Sequence, residues 1–439
     1  MTQAVPAGTP AGPAPRPPPE DAAIGMRSYL TPTPGIGGRL RAEPEDFRVI
    51  EEGEAPRRDE RGAYTAARVR LRNWETNRFA GRAARELHLK RGQVSFAGMK
   101  DKRAVTEQWF TFRCPPDRVT ALERLQDVEV LEAYATDLRQ YAGAHGGNRF
   151  RIRVRDHEAR PDAVTATVEA VRREGGVPNF FGPQRFGASF RPLTHLVGRA
   201  LVAGDLDEAV RLYIGNPIEG EREEALAARR VYEETRDPVL ALEAYPPALD
   251  LEREMLKRLV KRPGDPRNAL RALPQNLLQL FVHAWQSYLF NRVLSARLEA
   301  GLGLAAAREG DRVMATEDDG TRTVRVSARN QARVQRELDR GRAVLTAPLP
   351  GLAVPMAEGA PGGIEARVLE EEGVQPAAFR CRELPEVASA GRRRGILQPV
   401  PSLDVVWEEG DPVFSFRLGR GAYATVVLRE FLKGGIEAY

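Results

Sequence analysis

The stretch Phe96–Trp109 reads Phe-Ala-Gly-Met-Lys-Asp-Lys-Arg-Ala-Val-Thr-Glu-Gln-Trp and carries one carboxylate, Asp101, in a loop that a glycine opens. Gly98 lets another chain approach the loop backbone closely, because glycine has no side chain. Basic residues on both sides of Asp101 favour the ionised carboxylate that a nucleophile or base needs. From Val105 the residues are β-branched and aromatic, which predicts a strand over 105–112. Taken alone, a charged loop of this kind is usually a solvated turn, and a functional loop is the less frequent case.

Alternating apolar and polar residues predict further strands on both sides of this loop. One strand follows Pro44, and the others cover residues 64–72, 149–155 and 413–418. From Thr76 to about Leu89 the spacing is helical, with Thr76 as the expected N-cap. Between about residues 189 and 300 the apolar spacing becomes helical, and the clearest helix starts near Asn276. Residues 310–375 return to short strand-like runs. Strands, then helices, then strands predict an α+β core with a large insertion.

Composition limits the chemistry that the chain can perform. Seven prolines between Pro6 and Pro19 predict a disordered tail over residues 1–36. The five histidines lack metal-ligand spacing, so no metal site is predicted. The sequence contains no phosphate-binding P-loop, which predicts that there is no nucleotide cofactor. Two distant cysteines predict a reducing, cytoplasmic environment, and no apolar run is long enough to predict a membrane span.

Several motifs together resemble the TruD family of pseudouridine synthases. Six residues match its signature G-x-K-D-x-x-A-x-T-x-Q: Gly98, Lys100, Asp101, Ala104, Thr106 and Gln108. Further blocks similar to family motifs are Pro44–Phe47, Gly147–Phe150, Asn179–Gly187, Ser287–Asn291 and Gly421–Glu430. All of them stand in the family's order, and with their flanks they span residues 38 to 433.

The resemblance implies a fold and an activity. The fold is α+β: a pseudouridine synthase core of mixed, mostly antiparallel β-sheet flanked by helices, with a large inserted α+β domain specific to the family. The core is expected over residues 37–188 and 391–439, and the insertion over 189–390. The expected activity is isomerisation of uridine to pseudouridine in tRNA, at position 13 of the D arm, or in another structured RNA. No cofactor is expected, and a monomer is slightly favoured.

The resemblance also implies roles for five residues. Asp101 is the expected catalytic residue, acting on a flipped-out uridine at ribose C1′ or at uracil C6. Arg41 stands where the family has a lysine near the aspartate. Lys100 is expected either to orient the loop or to meet a phosphate. Phe181 matches the family's base-stacking phenylalanine, and Asn179 matches an amide that supports the loop or reads the base.

Three points stay open at this stage. Phe180, Phe181 and Phe186 could all be core residues, and we expect Phe181 to be the exception. Two arginine groups are the best candidates for RNA binding, although either could be a solvated surface: Arg149, Arg151 and Arg153 on one strand, and Arg392, Arg393 and Arg394 in a glycine-flanked loop. The alternative functions are a catalytically silent RNA-binding protein on the same fold and an unrelated carboxylate enzyme such as a nucleosidase.

Overall fold

The computed structural model describes residues 15–141, 143, 146–187 and 191–435. It divides the chain into two compact units. Of the described residues, unit 1 contains residues 31–177 and 399–435 together with residue 15, and unit 2 contains residues 16–30 and 178–398. The sequence-based boundaries at 188/189 and 390/391 therefore lie about ten residues from the observed crossings.

Unit 1 is built on an eight-stranded sheet. Strands and helices are numbered along the chain, and the strands of unit 1 are β1 (Gly37–Arg39), β2 (Phe47–Glu52), β3 (Tyr64–Arg72), β4 (Val94–Phe96), β5 (Val105–Phe112), β6 (Val128–Thr136), β7 (Gly147–Arg153), β8 (Arg155–His157), β15 (Asp404–Glu408) and β16 (Asp411–Gly419). The large sheet runs β15-β16-β7-β2-β5-β3-β6, with β4 beside β5, and β1 pairs with β8 in a separate ladder. The β2–β5 pair is parallel and every other neighbouring pair is antiparallel, so the predicted mixed, mostly antiparallel sheet is confirmed.

One face of this sheet is covered and the other is charged. The helices of unit 1 are α2 (Thr76–Glu86), α3 (Pro116–Val119), α4 (Pro161–Glu174) and α14 (Ala424–Leu432). Alternation along β2 buries Phe47, Val49 and Glu51 on the covered face, whereas Arg48 and Ile50 point the other way. The core on the covered face contains helix α2, and an edge-to-face contact joins Phe79 of that helix to Phe110 of β5, with 4.8 Å between ring centroids.

Unit 2 is mostly helical. Its helices are α1 (Pro19–Ala23), α5 (Thr194–Ala203), α6 (Leu206–Ile214), α7 (Glu223–Thr235), α8 (Pro238–Ala244), α9 (Asp250–Lys261), α10 (Pro266–Leu270), α11 (Gln275–Glu299), α12 (Gln331–Asp339) and α13 (Gly359–Glu371). Its sheet, β11-β10-β12-β13, contains β10 (Arg312–Ala315), β11 (Val324–Arg325), β12 (Ala343–Leu349) and β13 (Arg392–Gly395). The short strands β9 (Gly176–Pro178) and β14 (Leu397–Pro399) span the two crossings between the units.

Helix α11 is the centre of unit 2, and the predicted helix near Asn276 is confirmed. Nearly every residue from Phe281 to Arg297 is buried, so packing surrounds the helix on all sides. Helix α5 lies close against it, because a side chain at Gly198 would come within 2.0 Å of the Phe281 carbonyl oxygen. A larger residue at position 198 would push the two helices apart.

The structure corrects the predicted tail. Residues 1–14 lie outside the described residues, but residues 16–30 belong to unit 2 and are held against α11. Ile24 is buried and its carbonyl accepts a hydrogen bond from Asn291 Nδ2 at 2.9 Å. Ser295 Oγ donates to the Gly25 carbonyl, also at 2.9 Å. These hydrogen bonds could not be predicted from the proline-rich composition, because they depend on polar side chains nearly 270 residues later in the chain.

Two other local predictions differ from the structure. Residues 310–375 contain the helices α12 and α13 besides the predicted strands. Helix α13 begins Gly-Ala-Pro-Gly-Gly, which has little intrinsic helix propensity, so burial of its later residues must hold it. Helix α2 was expected to take Thr76 as its N-cap, but Glu75 caps it and accepts hydrogen bonds from the backbone N–H groups of Asn77 and Arg78.

Candidate active site

The Asp101 loop joins β4 to β5 in unit 1 and is held by hydrogen bonds on several sides. The Ala97 carbonyl accepts from the Gly143 N–H at 2.7 Å, and the Gly98 carbonyl accepts from Gln108 Nε2 at 3.1 Å. The Lys100 N–H donates to Thr76 Oγ1 at 2.9 Å. The loop backbone is therefore fixed by its neighbours, and the hydroxyl that was expected to cap α2 anchors this loop instead.

Lys100 forms a buried ion pair beneath the loop. Its Nζ lies 2.7 Å from Glu51 Oε2, and the two side chains are only 3% and 4% exposed. Glu51 Oε1 also accepts from the Trp109 N–H at 3.3 Å. A buried and paired ammonium does not reach a phosphate, so the assignment of Lys100 to substrate binding is corrected. Of its two expected roles, the geometry supports orientation of the loop.

Asp101 is presented at the surface and paired with Arg41. Arg41 Nη2 donates to Asp101 Oδ1 at 2.9 Å, and the two side chains are 14% and 37% exposed. The Arg41 guanidinium lies 4.1 Å above the centroid of the Phe47 ring, and its backbone takes the left-handed conformation with φ of 55°. No other side chain in the described part of the protein bonds this carboxylate. One carboxylate oxygen is thus held by Arg41, and the other accepts no hydrogen bond from a side chain of the described residues.

The arginines of β7 are part of a network of ion pairs on the opposite face of the sheet. Arg149 Nε lies 3.2 Å from Glu52 Oε1, and Arg151 Nη2 lies 2.6 Å from Glu408 Oε2. Arg153 Nη2 shares that Glu408 oxygen at 3.2 Å. A cationic strand face was predicted, but acidic residues from the neighbouring strand β2 and from β15, which lies beyond β16, offset much of its charge. Because these three arginines are already paired with carboxylates, they are poorer candidates for RNA binding than the sequence suggested.

In unit 2, Asn179 positions an arginine over Phe181. Asn179 Nδ2 donates to the Gly395 carbonyl at 2.8 Å, and its Oδ1 accepts from Arg394 Nη2 at 2.7 Å. The Arg394 guanidinium lies 4.2 Å from the centroid of the Phe181 ring, which also packs edge-on against Phe290 at 5.5 Å. Within unit 2 the amide of Asn179 is therefore occupied with the strand that carries Arg394.

Phe181 is more buried than expected. Phe180 and Phe186 are core residues as predicted, but Phe181 is also only 9% exposed, so it is not a clear exception. It borders a cavity of about 340 Å³ in unit 2 whose wall also contains Arg185, His283 and Arg392. Burial, and then the charges of Arg185 and Arg392, lower the pKa of His283 below its ordinary value. The cavity is therefore electropositive.

The three successive arginines 392–394 were predicted in a loop, but they lie in β13 and have three different environments. The Arg393 side chain is fully buried, with Nη2 2.5 Å from Glu365 Oε1 and Nε 2.8 Å from Thr346 Oγ1. Alternation along the strand exposes Arg392 and half-buries Arg394. The assignment of Arg393 to RNA binding is corrected, because its charge is neutralised inside unit 2.

Comparison with known proteins identifies the family. The profile of the family "tRNA pseudouridine synthase D (TruD)" matches residues 23–431. A relative from Methanosarcina acetivorans named "Probable tRNA pseudouridine synthase D" is 40% identical over an alignment of 428 residues that covers 93% of this chain and 96% of the relative. The crystal structure of a TruD from Methanosarcina mazei matches with a TM-score of 0.87 and 39% identity, over 95% of this chain and 98% of that one. The chain belongs to the TruD family. It is therefore a pseudouridine synthase, an isomerase.

A more distant TruD supports the same assignment. A relative from Pyrococcus furiosus, also named "Probable tRNA pseudouridine synthase D", is 36% identical over 414 residues, covering 93% of this chain and 99% of the relative. The match to the family profile extends through both compact units. It begins at residue 23, inside the segment that the sequence analysis took for a disordered tail.

Further searches of the described residues concern metals and membranes. Among them, no three histidine, cysteine, aspartate or glutamate side chains are grouped so as to hold a metal ion. None of the helices in the described ranges has the length and apolar character needed to cross a membrane.

Several residues that shape the two sites were not predicted from the sequence. Glu51 holds Lys100, Thr76 anchors the Asp101 loop, and His283 lies in the cavity beside Phe181. Glu51 carried one usable signal, because it is an acidic residue on the buried side of an alternating strand. The spacing of Thr76 and His283 gave no comparable signal, since each acts on a residue far away in sequence.

Proposed function

We propose that this TruD-family enzyme isomerises uridine to pseudouridine in tRNA, at position 13 of the D arm, with Asp101 as the catalytic residue. The observation that carries the proposal is the Asp101 carboxylate itself: it is partly exposed, one oxygen is held by Arg41, and its loop is fixed from below. A fixed carboxylate loses little freedom when it meets a substrate, which lowers the entropic part of the barrier.

The reaction is balanced without a cofactor. The bond between uracil N1 and ribose C1′ breaks, and a bond between C5 and C1′ forms. C5 loses one proton and N1 gains one, so composition and oxidation state are unchanged. Asp101 acts either by attacking C1′ as N1 leaves or by adding to C6. In the first route the attack of C5 on C1′ displaces the carboxylate as the new carbon–carbon bond forms, and in the second the carboxylate leaves C6 after that bond has formed.

The target base must leave its stack before the carboxylate can reach it. In unit 2, the wall containing Phe181, Arg185 and Arg392 offers an aromatic edge and positive charge, which suit a base and its phosphate. We propose these residues as RNA contacts, with Asn179 and Arg394 holding the Phe181 ring in place. We further propose that the enzyme acts in the cytoplasm, as a monomer, without a metal or a nucleotide cofactor.

Asp101→Asn tests the catalytic assignment. Unmodified tRNA transcript is incubated with each protein, and pseudouridine is mapped by carbodiimide modification and primer extension. We expect no product from Asp101→Asn, while RNA affinity stays within about threefold of the wild type, because one charge changes at the reacting centre. Asp156→Asn is the matched control, since it removes an exposed carboxylate that pairs with Arg39 at 3.1 Å.

The outcomes separate the parts of the proposal. Turnover of Asp101→Asn near the wild-type rate would remove this residue from catalysis. Binding of tRNA by the wild type without product at any uridine would favour the silent RNA-binding alternative. Product at a uridine other than position 13 would leave the activity standing and overturn the proposed target. Activity on free uridine would favour the nucleosidase alternative.

A further inference from the structure

Met99 is an exposed apolar residue two positions before Asp101. Its side chain is 72% exposed, and only Tyr141 is equally exposed among the large apolar side chains of the described residues. Tyr141 lies on the neighbouring loop, which the Gly143–Ala97 hydrogen bond ties to the Asp101 loop. Single exposed apolar residues are common on protein surfaces. What distinguishes Met99 is the rigid loop that carries it and the carboxylate beside it.

Met99 is exposed and Asp101 is partly exposed, whereas Lys100 between them is buried. Lys100 points inward to Glu51, with its side chain almost completely buried. The exposed fraction is 72% for Met99 and 37% for the Asp101 side chain, so the apolar side chain and the carboxylate both reach solvent from the same loop. The Met99 sulphur, next to the terminal methyl group, also accepts a hydrogen bond from Asn77 Nδ2 at 3.4 Å, which helps to fix the position of the side chain.

A base that leaves its stack creates a gap one base thick. Proteins that unstack nucleic acids often fill such a gap with an apolar side chain, methionine among them. Methionine suits this use because its unbranched thioether adapts to irregular spaces. An apolar side chain fixed two residues from the carboxylate would lie next to the nucleotide from which the target base departs.

We propose that Met99 is the wedge that enters the RNA stack and fills the space left by the target uridine. The ligand it recognises is the pair of bases on either side of that uridine. This inference rests on the proposed role of Asp101, because the wedge must act where the reacting base meets its carboxylate. Met99 contacts the flanking bases and takes no part in bond breaking.

Turnover on two RNA substrates distinguishes an effect on unstacking from an effect on the chemical step. The first is the unmodified tRNA transcript with its target uridine in place, and the second has abasic residues on both sides of that uridine, so that no stack must be opened. We expect Met99→Ala to lower kcat/KM on the first RNA on the order of tenfold to a hundredfold, which is the scale of one lost stacking contact. On the second RNA, kcat/KM of Met99→Ala should equal that of the wild type. Met99→Leu should retain activity on both RNAs.

A fluorescent base gives a readout independent of turnover. With 2-aminopurine next to the target uridine, binding of Asp101→Asn should raise the emission as the target base leaves the stack. The double variant Met99→Ala/Asp101→Asn should give a smaller rise at saturating protein. Val324→Ala is the matched control, because it removes another exposed apolar side chain, one that lies in unit 2. Its turnover should equal that of the wild type.

Each alternative outcome is decisive. Equal turnover of Met99→Ala and the wild type on the first RNA would overturn the wedge, and so would an equal loss on both RNAs, which would indicate a role in loop geometry. Failure of the underlying proposal has another signature: Asp101→Asn would be active on both RNAs, whatever the ratio between the Met99 variants.

Discussion

Arg41 and Asp101 form an ion pair across sixty residues of sequence, with 2.9 Å between Arg41 Nη2 and Asp101 Oδ1. The resemblance to the TruD family indicated only that an arginine replaces a lysine near the aspartate. The structure shows that the longer side chain still reaches the carboxylate, while its guanidinium lies over Phe47. The substitution therefore keeps a cation beside Asp101 and adds a contact with an aromatic ring that helps to fix it.

The Arg41 pair can be tested by varying the cation. Arg41→Met should lower kcat by about tenfold to a hundredfold with little change in KM, because a charge-assisted hydrogen bond to the carboxylate is lost. Arg41→Lys should stay within about tenfold of the wild type, since it keeps the charge. Single-turnover assays on tRNA measure both variants, with Arg39→Met as the control for an exposed pair. Unchanged kcat for Arg41→Met would contradict the role.

The buried Lys100–Glu51 pair should behave as a structural element. Lys100→Met leaves Glu51 buried without its partner and should cost about 3–5 kcal/mol of unfolding free energy. Lys100→Met/Glu51→Gln should recover more than half of that loss, because the glutamine is neutral and can still accept from Trp109. Urea denaturation followed by circular dichroism measures the changes. Loss of RNA affinity at unchanged stability would instead support a phosphate contact.

Phe181 should contribute to the stability of unit 2 as well as to turnover. The ring is 9% exposed and packs against Phe290, so Phe181→Ala should cost about 3–5 kcal/mol through the cavity it leaves. Phe181→Leu retains much of the volume but removes the aromatic face, and its kcat should fall while the fold remains. Thermal unfolding and turnover are measured together. Phe181→Ala with wild-type stability would show that the packing contributes little.

Substitutions of Arg392 and Arg153 should differ in their effect on the salt dependence of RNA binding. Arg392 is exposed beside the unit 2 cavity, so Arg392→Gln should reduce the slope of log affinity against log salt by about one. Arg153 is already paired with Glu408 and Glu409, so Arg153→Gln should change that slope much less. Filter binding of tRNA over a range of salt concentrations tests the difference. Equal slopes for the two variants would refute it.

His195 should make the protein less stable in mild acid. Burial lowers its pKa from 6.5 to about 4, and the imidazole packs between Phe186 and Tyr288. The unfolded chain therefore takes up a proton near pH 6.5 that the folded protein refuses until about pH 4, so stability present above pH 6.5 is lost as the pH falls. At pH 5 the loss is about 2 kcal/mol. His195→Gln should weaken the dependence of the unfolding free energy on pH, measured by unfolding the protein at several pH values between 7 and 4.5. An unchanged pH dependence would contradict this.

Much of the fold could be predicted because its signals are local. Alternation identified β3 and the β7 region, helical spacing identified α11, and ordered motifs indicated the family. Prediction failed where distant contacts hold a segment with poor local signals. Residues 16–30 are rich in proline and small residues, yet Asn291 and Ser295 anchor them, and α13 starts on glycines and forms because its later residues are buried.

The site was predicted in its parts but not in its pairings. The sequence indicated Asp101, Arg41, Asn179 and Phe181, because each stands in a motif of recognisable order. It could not indicate that the Arg394 guanidinium lies over the Phe181 ring, or that Arg151 pairs with Glu408, which is 257 residues away in sequence. Alternation shows which residues share a face of a strand, whereas the identity of the neighbouring strand and its register depend on the whole sheet.

By itself, the sequence determined the order of strands and helices, the family and the position of the one carboxylate in the signature loop, because these are encoded by neighbouring residues. Only the tertiary structure decided which charged side chains are buried, which are paired and which are exposed. Lys100 is buried and paired, Arg393 is neutralised in the interior, Arg392 is exposed, and Asp101 is held at the surface. The effect of a charge depends on the partner and the solvent around it, and these are set by long-range packing.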